Sequence, residues 1–259
     1  MNAALDRTPA IDPADVSEAL RHLVAVAAGL SGSVRLVGFD EGALADWADD
    51  LDGGADWDAR LLADGLGEHG AGPGAAVVEL ECGSGRVGAY LADRGWDVTG
   101  LDRSPALIDR APRRRPGRRV RWIQADVLTD DIGRLVGRPA AAAVVAPAGA
   151  LGRFLAGEEL VGAFAALAPR LRAGGPVLLP VFDDSVRVHL EAGLPDRLAG
   201  RPLRQSNGRQ LVVWTAGEVA AVLGAAGWTQ TVSHIAKADG GPTDGWPFRL
   251  VGFRPPPAG

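Results

Sequence analysis

The residues best placed to do chemistry are three glycines and the acids around them. Gly83, Gly85 and Gly88 stand in the spacing G-x-G-x-x-G within "VVELECGSGRVG" (77–88). A turn of this kind, opening a helix, aims backbone N–H groups and a helix N-terminus at a ligand. Asp102 follows 17 residues after Gly85, at the end of the apolar "DVTGLD". An acid there can accept from both hydroxyls of a ribose. The motif alone is weak. Glycine is 36 of 259 residues, so roughly 0.7 matches to the spacing arise by chance. Its weight comes from context, and that context suits NAD and another adenosine cofactor equally.

The elements that position these residues alternate regularly. "AAVVELE" (75–81) has the continuous apolar pattern of a buried strand, and "GRVGAYLADRG" (85–95) reads as a helix closed by Gly95. Strands are expected at 97–102, at "RVRWIQAD" (119–126), where Val120, Trp122 and Gln124 share a face, at "AAAAVVAP" (140–147) and at "PVLLPVF" (176–182). Helices are expected at 104–111, with Ser104 as N-cap and Pro105 first in the helix, and at 152–175. A third spans 215–227, where Thr215 and Glu218 form a capping box. Strands at 228–235 and 248–255 close the chain. Such alternation implies an α/β fold with a largely parallel sheet and helices on both faces. Residues 1–70 and 183–214 fall outside it and read as caps over the carboxyl edge, where open α/β sheets bind ligands.

Composition narrows the function. Hydrophobic residues make up 47% of the chain, enough for a sizeable core, and the formal net charge of -5 argues against a polyanionic partner such as nucleic acid. Cys82 is the only cysteine, which excludes an internal disulfide and fits a reducing, cytoplasmic setting. No apolar run reaches the length of a membrane span, and "MNAALDRTPAIDPADVSEAL" lacks the pattern of a signal peptide. No His/Cys/Asp/Glu cluster has metal-ligand spacing, so no metal is expected. The arginine run "RAPRRRPGRRVR" (110–121) joins a helix end to a strand start, on the edge opposite the ligand. It reads as a solvated face, with docking of an acidic carrier protein as the minority alternative.

The ordered set of segments resembles the class I S-adenosylmethionine-dependent methyltransferases, over about residues 72–255. Glu79-Leu80-Glu81-Cys82-Gly83-Ser84-Gly85 is similar to the family's first motif, with Glu81 in place of the first glycine. "VTGLDRSPALIDRA" resembles the second, "IQADVL" (123–128) the adenine-contacting segment, and "LAPRLRAGGPVLL" (167–179) the helix and turn before strand five. The resemblance implies a Rossmann-like doubly wound sheet of about seven strands, ending in an antiparallel pair. It also implies S-adenosylmethionine as cofactor, with S-adenosylhomocysteine left as product. The implied cofactor-binding residues are Glu79, Glu81, Cys82, Gly83, Ser84, Gly85, Asp102, Arg103, Ala125, Asp126, Val127 and Ala146. Asp102 would hold the ribose and Asp126 would accept from the adenine amino group, between Ala125 and Val127. The binding domain would run 71–259, carrying a cap insertion around 183–214 behind an N-terminal helical cap at 1–70.

After strand four the chain reads Ala146-Pro147-Ala148-Gly149. It lacks the Asn/Asp-Pro-Pro-aromatic tetrad common in members that methylate nucleic acids or protein amines. Cys82 sits in the cofactor loop, so the nucleophile of base C5-methylation is missing too. The expected acceptor is therefore a small molecule of specialised metabolism, and the enzyme a monomer or homodimer. Two alternatives stay open: a cofactor-binding relative without methyl transfer, such as a cyclase or partner subunit, and an NAD(P)-dependent oxidoreductase. His189, Asp183 and Asp184 are candidate bases near the cleft. His234, in a terminal strand, reads as structural. Trp47, Trp57, Pro147 and Trp214 are candidate acceptor contacts, although large aromatics mostly serve packing.

Glu81 is the anomaly. A glycine at its position permits a tight turn, whereas Glu81 requires one that a side chain tolerates. Its carboxylate either leaves the loop, toward solvent or an arginine such as Arg86, or faces the ammonium and sulfonium of the cofactor.

Overall fold

The computed structural model describes residues 56–114, 120–137, 141–148, 150–154, 156–172, 174–185, 203–204, 210–211, 214–237 and 247–257. The seven-stranded sheet comprises β1 (Ala76–Leu80), β2 (Asp97–Asp102), β3 (Val120–Gln124), β4 (Ala143–Val145), β5 (Val177–Phe182), β8 (Thr229–Lys237) and β9 (Pro247–Arg254). Its order is β3-β2-β1-β4-β5-β9-β8, and β6 (Leu203–Arg204) pairs with β7 (Gln210–Leu211) in a separate ribbon. β3 through β5 pair in parallel, while β9 runs antiparallel to both β5 and β8. The order reverses between β1 and β4, and the crevice at that switch point is where such sheets bind ligands.

Two apolar layers sandwich the sheet. α1 (Trp57–Glu68) and α2 (Arg86–Asp93) bury Leu62, Leu66, Val87 and Leu91 against Val77, Val98, Leu178 and Leu250. α3 (Pro105–Arg114) flanks β2 and β3 beside α2. On the other face α4 (Ile132–Val136), α5 (Gly157–Leu167) and α6 (Ala216–Ala225) bury Ile132, Leu160, Phe164, Val219 and Leu223 against Val144, Val177 and Val251. The last turns of the segment assigned to the N-terminal cap thus form α1, laid on the sheet. Residues 1–55 and most of 183–214 lie outside the described residues.

Three local outcomes differ from the expectations. The helix expected over 152–175 is broken. A 3-10 turn at Ala150–Arg153 precedes α5, which starts afresh after the extended Ala156 (φ -137°, ψ 155°), and a second 3-10 turn at Ala168–Arg170 carries a proline near its start. α4, too short for a periodic signal, is capped by Asp131, which accepts from the Arg134 N–H. β3 keeps Trp122 half-buried and leaves Gln124 exposed. The Trp122 ring lies so close to Gly85, Gly88 and Gly100 that a Cβ on any of them would come within 2.6, 2.9 or 2.5 Å of it. Part of the glycine spacing is therefore a packing requirement. The capping box of α6 forms as expected, with Thr215 and Glu218 bonding reciprocally.

Candidate active site

The cofactor loop is built on β1 and α2. Gly83 (φ 57°) and Gly85 (φ 84°) are left-handed, and Gly85 opens α2 with no side chain capping it. Gly85 thus puts no side chain in the way of the first turn of α2, and a helix N-terminus suits an anionic ligand group. A Cβ on Gly83 would meet nothing within 4 Å, so that side of the loop is open.

Three acids stand after three adjacent strands. Asp102, ending β2, is buried and accepts from the N–H of Gly83 (2.8 Å) and of Ser104 (2.8 Å). Burial pushes its carboxyl above the usual range, opposed by those two N–H donors and by Arg103 and Arg153. Asp126 follows β3. Burial opposes its ionisation, but hydrogen bonds from Arg153 and the Leu128 N–H outweigh that and hold it below the usual range. Ala125 and Val127, on either side, are buried. Glu81 follows β1 and is the one non-glycine residue with positive φ (53°) among the described residues.

The sequence left open where the Glu81 carboxylate goes. It accepts from Arg153 Nη1 at 2.7 Å, and Arg153 Nη2 reaches both Asp126 oxygens at 2.8 and 3.0 Å. Burial pushes Glu81 up to about 7, against the lowering pull of Arg153. Arg86, the arginine proposed for it, is engaged elsewhere. Its guanidinium makes a two-point pair with the buried Asp58 (2.6 and 2.7 Å), which also accepts from the Ala148 N–H. That pair ties α1, α2 and the loop after β4 together. Asp58 and Arg153 are not legible in the sequence, and Arg86 is legible only with the wrong partner, because each meets its partner only in three dimensions. Glu81 was the available signal for Arg153, since a carboxylate at a buried turn needs a cation.

Glu79 is fully buried, and among the described residues its oxygens have no hydrogen-bond partner. Burial drives its carboxyl well above the ordinary range, against the pull of Arg86. The Cys82 thiol is buried and pushed up by desolvation and the charges of Glu79, Asp102 and Glu81, so it stays protonated and unreactive. Ser84 and Ala146 are buried at the loop and after β4, and Arg103 is exposed at the end of β2.

On the far half of the edge the candidate bases are tied into the framework. Asp183 accepts from Arg249 Nε (2.8 Å) and from the Ser185 N–H (3.0 Å). Those serine bonds, then Arg249, hold its carboxyl below the usual range. Asp184 accepts from the Gly217 N–H at the start of α6. His234 is exposed and lies 3.2 Å from Glu68. Trp57 stacks on Phe248, which stacks on Phe182, both with ring centroids 4.6 Å apart. Trp214 donates to the Phe154 carbonyl (2.9 Å), and Pro147 is half-buried after β4. Trp47 and His189 lie outside the described residues. No group of three potential metal-binding side chains occurs among the described residues, and no helix among them is long and apolar enough to cross a membrane.

Residues 77–175 match the model of a family described as methyltransferase domain. The matched segment holds the glycine turn, Asp102, Asp126 and Arg153. Solved structures share its fold. CcbJ methyltransferase of Streptomyces caelestis is 19% identical over 84% of this chain and 100% of its own, with a TM-score of 0.61. The 1,6-didemethyltoxoflavin N1-methyltransferase of Burkholderia thailandensis is 22% identical over 96% of this chain and 93% of its own, with a TM-score of 0.55. A TehB-like methyltransferase of Corynebacterium glutamicum is 22% identical over 83% and 97%, with a TM-score of 0.56. No curated protein matches the chain. The donor of this family, S-adenosylmethionine, fits the methyltransferase domain on its own geometry. An open glycine turn at a helix N-terminus, with acids ending β2 and following β3, has the polar groups such a donor requires.

Proposed function

We propose that this methyltransferase moves a methyl group from S-adenosylmethionine to a small-molecule acceptor of specialised metabolism. One observation carries the reading: Glu81, Asp102 and Asp126 line the carboxyl ends of three adjacent strands around an uncapped glycine turn, inside a methyltransferase domain. The bound donor would supply a sulfonium methyl, open to in-line displacement. The chain's own part is orientation and exclusion of water. Asp102 holds the ribose, the N-terminal turn of α2 takes the carboxylate, and Glu81, paired with Arg153, sets the charge at the turn. Phe182, half-buried over Phe248 and beside Ala148, offers an aromatic face to a flat apolar acceptor. Asp183 and Asp184 already bind Arg249 and α6, so His189 is the candidate base to test for an acceptor that must lose a proton.

Similar structures support a natural-product acceptor: one holds 1,6-didemethyltoxoflavin, and another belongs to echinomycin biosynthesis. We place the enzyme in the cytoplasm, as a monomer or homodimer without a nucleic-acid partner, on the charge of -5 and the single cysteine. A second reading, donor binding without methyl transfer, is favoured by the Arg153 guanidinium lying among the donor's acids. Incubating the protein with labelled S-adenosylmethionine and a panel of aromatic acceptors tests both readings. Labelled product supports transfer; donor binding with no product from any acceptor supports the second reading. The antiparallel β9 and β8 and the domain match speak against an oxidoreductase.

A further inference from the structure

We propose that Arg153 is a latch on the donor cleft: its guanidinium clasps Glu81 and Asp126 across the carboxyl edge, and donor entry displaces it from Asp126. The proposal rests on the donor reading above. Arg153 leaves the chain after β4, and β4 lies beyond β1 in the order β3-β2-β1-β4. To reach Asp126 after β3, its side chain must pass over the ends of β1 and β2. Asp102 stands there, next to the switch point between β1 and β4. The arginine is held there, with its side chain only 12% exposed.

Its two contacts are unequal. Glu81 is enclosed, in a left-handed turn that aims its carboxylate at Arg153. Asp126 is more open, and its Oδ1 is already shared with the Leu128 N–H. Asp126 is thus the end that lets go. It is also the acid placed for the adenine amino group, so an incoming adenosine and Arg153 compete for the same oxygens. Until then Arg153 offsets the mutual repulsion of three acids gathered at one edge. When the adenosine arrives, Arg153 keeps Glu81 and yields Asp126, with no bond made or broken.

A structural bridge and a latch predict opposite signs. Wild type, Arg153→Met and Arg153→Lys would be melted without ligand and titrated calorimetrically with adenosine and S-adenosylhomocysteine. The latch predicts that Arg153→Met melts lower yet binds adenosine about five-fold tighter, the order of one ion pair's competition. Arg153→Lys, able to reach one acid at a time, should fall between. Added salt should tighten adenosine binding to wild type but not to Arg153→Met, because the ligand is neutral and only the latch is screened. Adenosine binding that is unchanged or weaker in Arg153→Met, or in Arg153→Lys where the methionine variant fails to fold, would overturn the latch. If wild type binds neither ligand, the donor reading itself fails and the latch with it.

Discussion

The donor half and the acceptor half of the carboxyl edge are built from different materials. Across β1, β2 and β3 the edge carries Glu81, Asp102 and Asp126, with Arg153 among them and an uncapped helix beside them. Across β5 and β9 the carboxylate of Asp183 is bound to Arg249, and the half-buried Phe182 ring lies over the buried Phe248 and Trp57. On the proposed function, one half would recognise charge and hydroxyl groups, the other area and flatness. Polar sites discriminate sharply because an unmatched buried group is costly, whereas an apolar wall accepts many shapes at a modest difference in energy. A fixed donor and a variable acceptor are what such a division serves.

The joint between the halves should show the largest effect. Asp58 is buried, pairs with Arg86 at two points and holds the Ala148 N–H after β4. Asp58→Ala leaves a buried arginine without its main partner, which typically costs about 3–5 kcal/mol. The lower end applies here, since Asp56 stands 3.9 Å from Arg86 and the nearby Glu79 can ionise. Urea unfolding checks this, and a loss below about 1 kcal/mol would make the pair a surface ornament. Next comes the donor half itself. Asp102→Ala should weaken S-adenosylhomocysteine binding by about 1.5–3 kcal/mol, the range for hydrogen bonds to a charged group. Calorimetry on the folded variant reads it, and unchanged affinity would remove Asp102 from the site. The acceptor half should respond more gently. Phe182→Ala takes away the half-buried face of the ring stack and should cost about 1 kcal/mol in acceptor binding. The loss should appear in acceptor KM with donor affinity unchanged, and a loss of donor affinity instead would erase the division between halves.

The donor half was the more legible in the sequence, for a physical reason. Its parts are strand ends and the turns after them, so Gly83, Gly85 and Asp102 stand out by local pattern and context, and Asp126 by the family resemblance. β1, β2, β5 and the capping box of α6 follow equally local rules, and the expected strand–helix alternation appears. The pairs Asp58–Arg86 and Arg153–Glu81 span 28 and 72 residues of sequence, and no local rule chooses such partners. The aromatic wall joins α1, β5 and β9 in the same way, so its residues read as ordinary core. Trp122 illustrates the converse. Gly88 reads as a ligand-loop glycine, yet a Cβ there would collide with the Glu79 carboxylate and that ring.

The smallest effect, and the one that bears most directly on the anomaly at residue 81, is that of Glu81→Gly. At neutral pH two terms oppose each other. Glycine relieves the left-handed backbone at φ 53°, worth about 1 kcal/mol, while the partly enclosed pair with Arg153 is lost at a similar cost. Their sum should lie within about 1 kcal/mol of zero. The pH dependence does not cancel. Burial raises the Glu81 carboxyl to about 7 in the fold, above the ordinary value of about 4.5. Between those values the folded state binds the extra proton, so this group's contribution to stability is complete below about 4.5 and is lost as pH rises to about 7. Glu81→Gly has no such proton. Relative to wild type, the variant should therefore gain stability from pH 5 to pH 8, and urea midpoints at the two pH values measure that gain. Parallel pH profiles would mean that Arg153 keeps Glu81 ionised throughout, and that the carboxylate at the turn is a fixed charge.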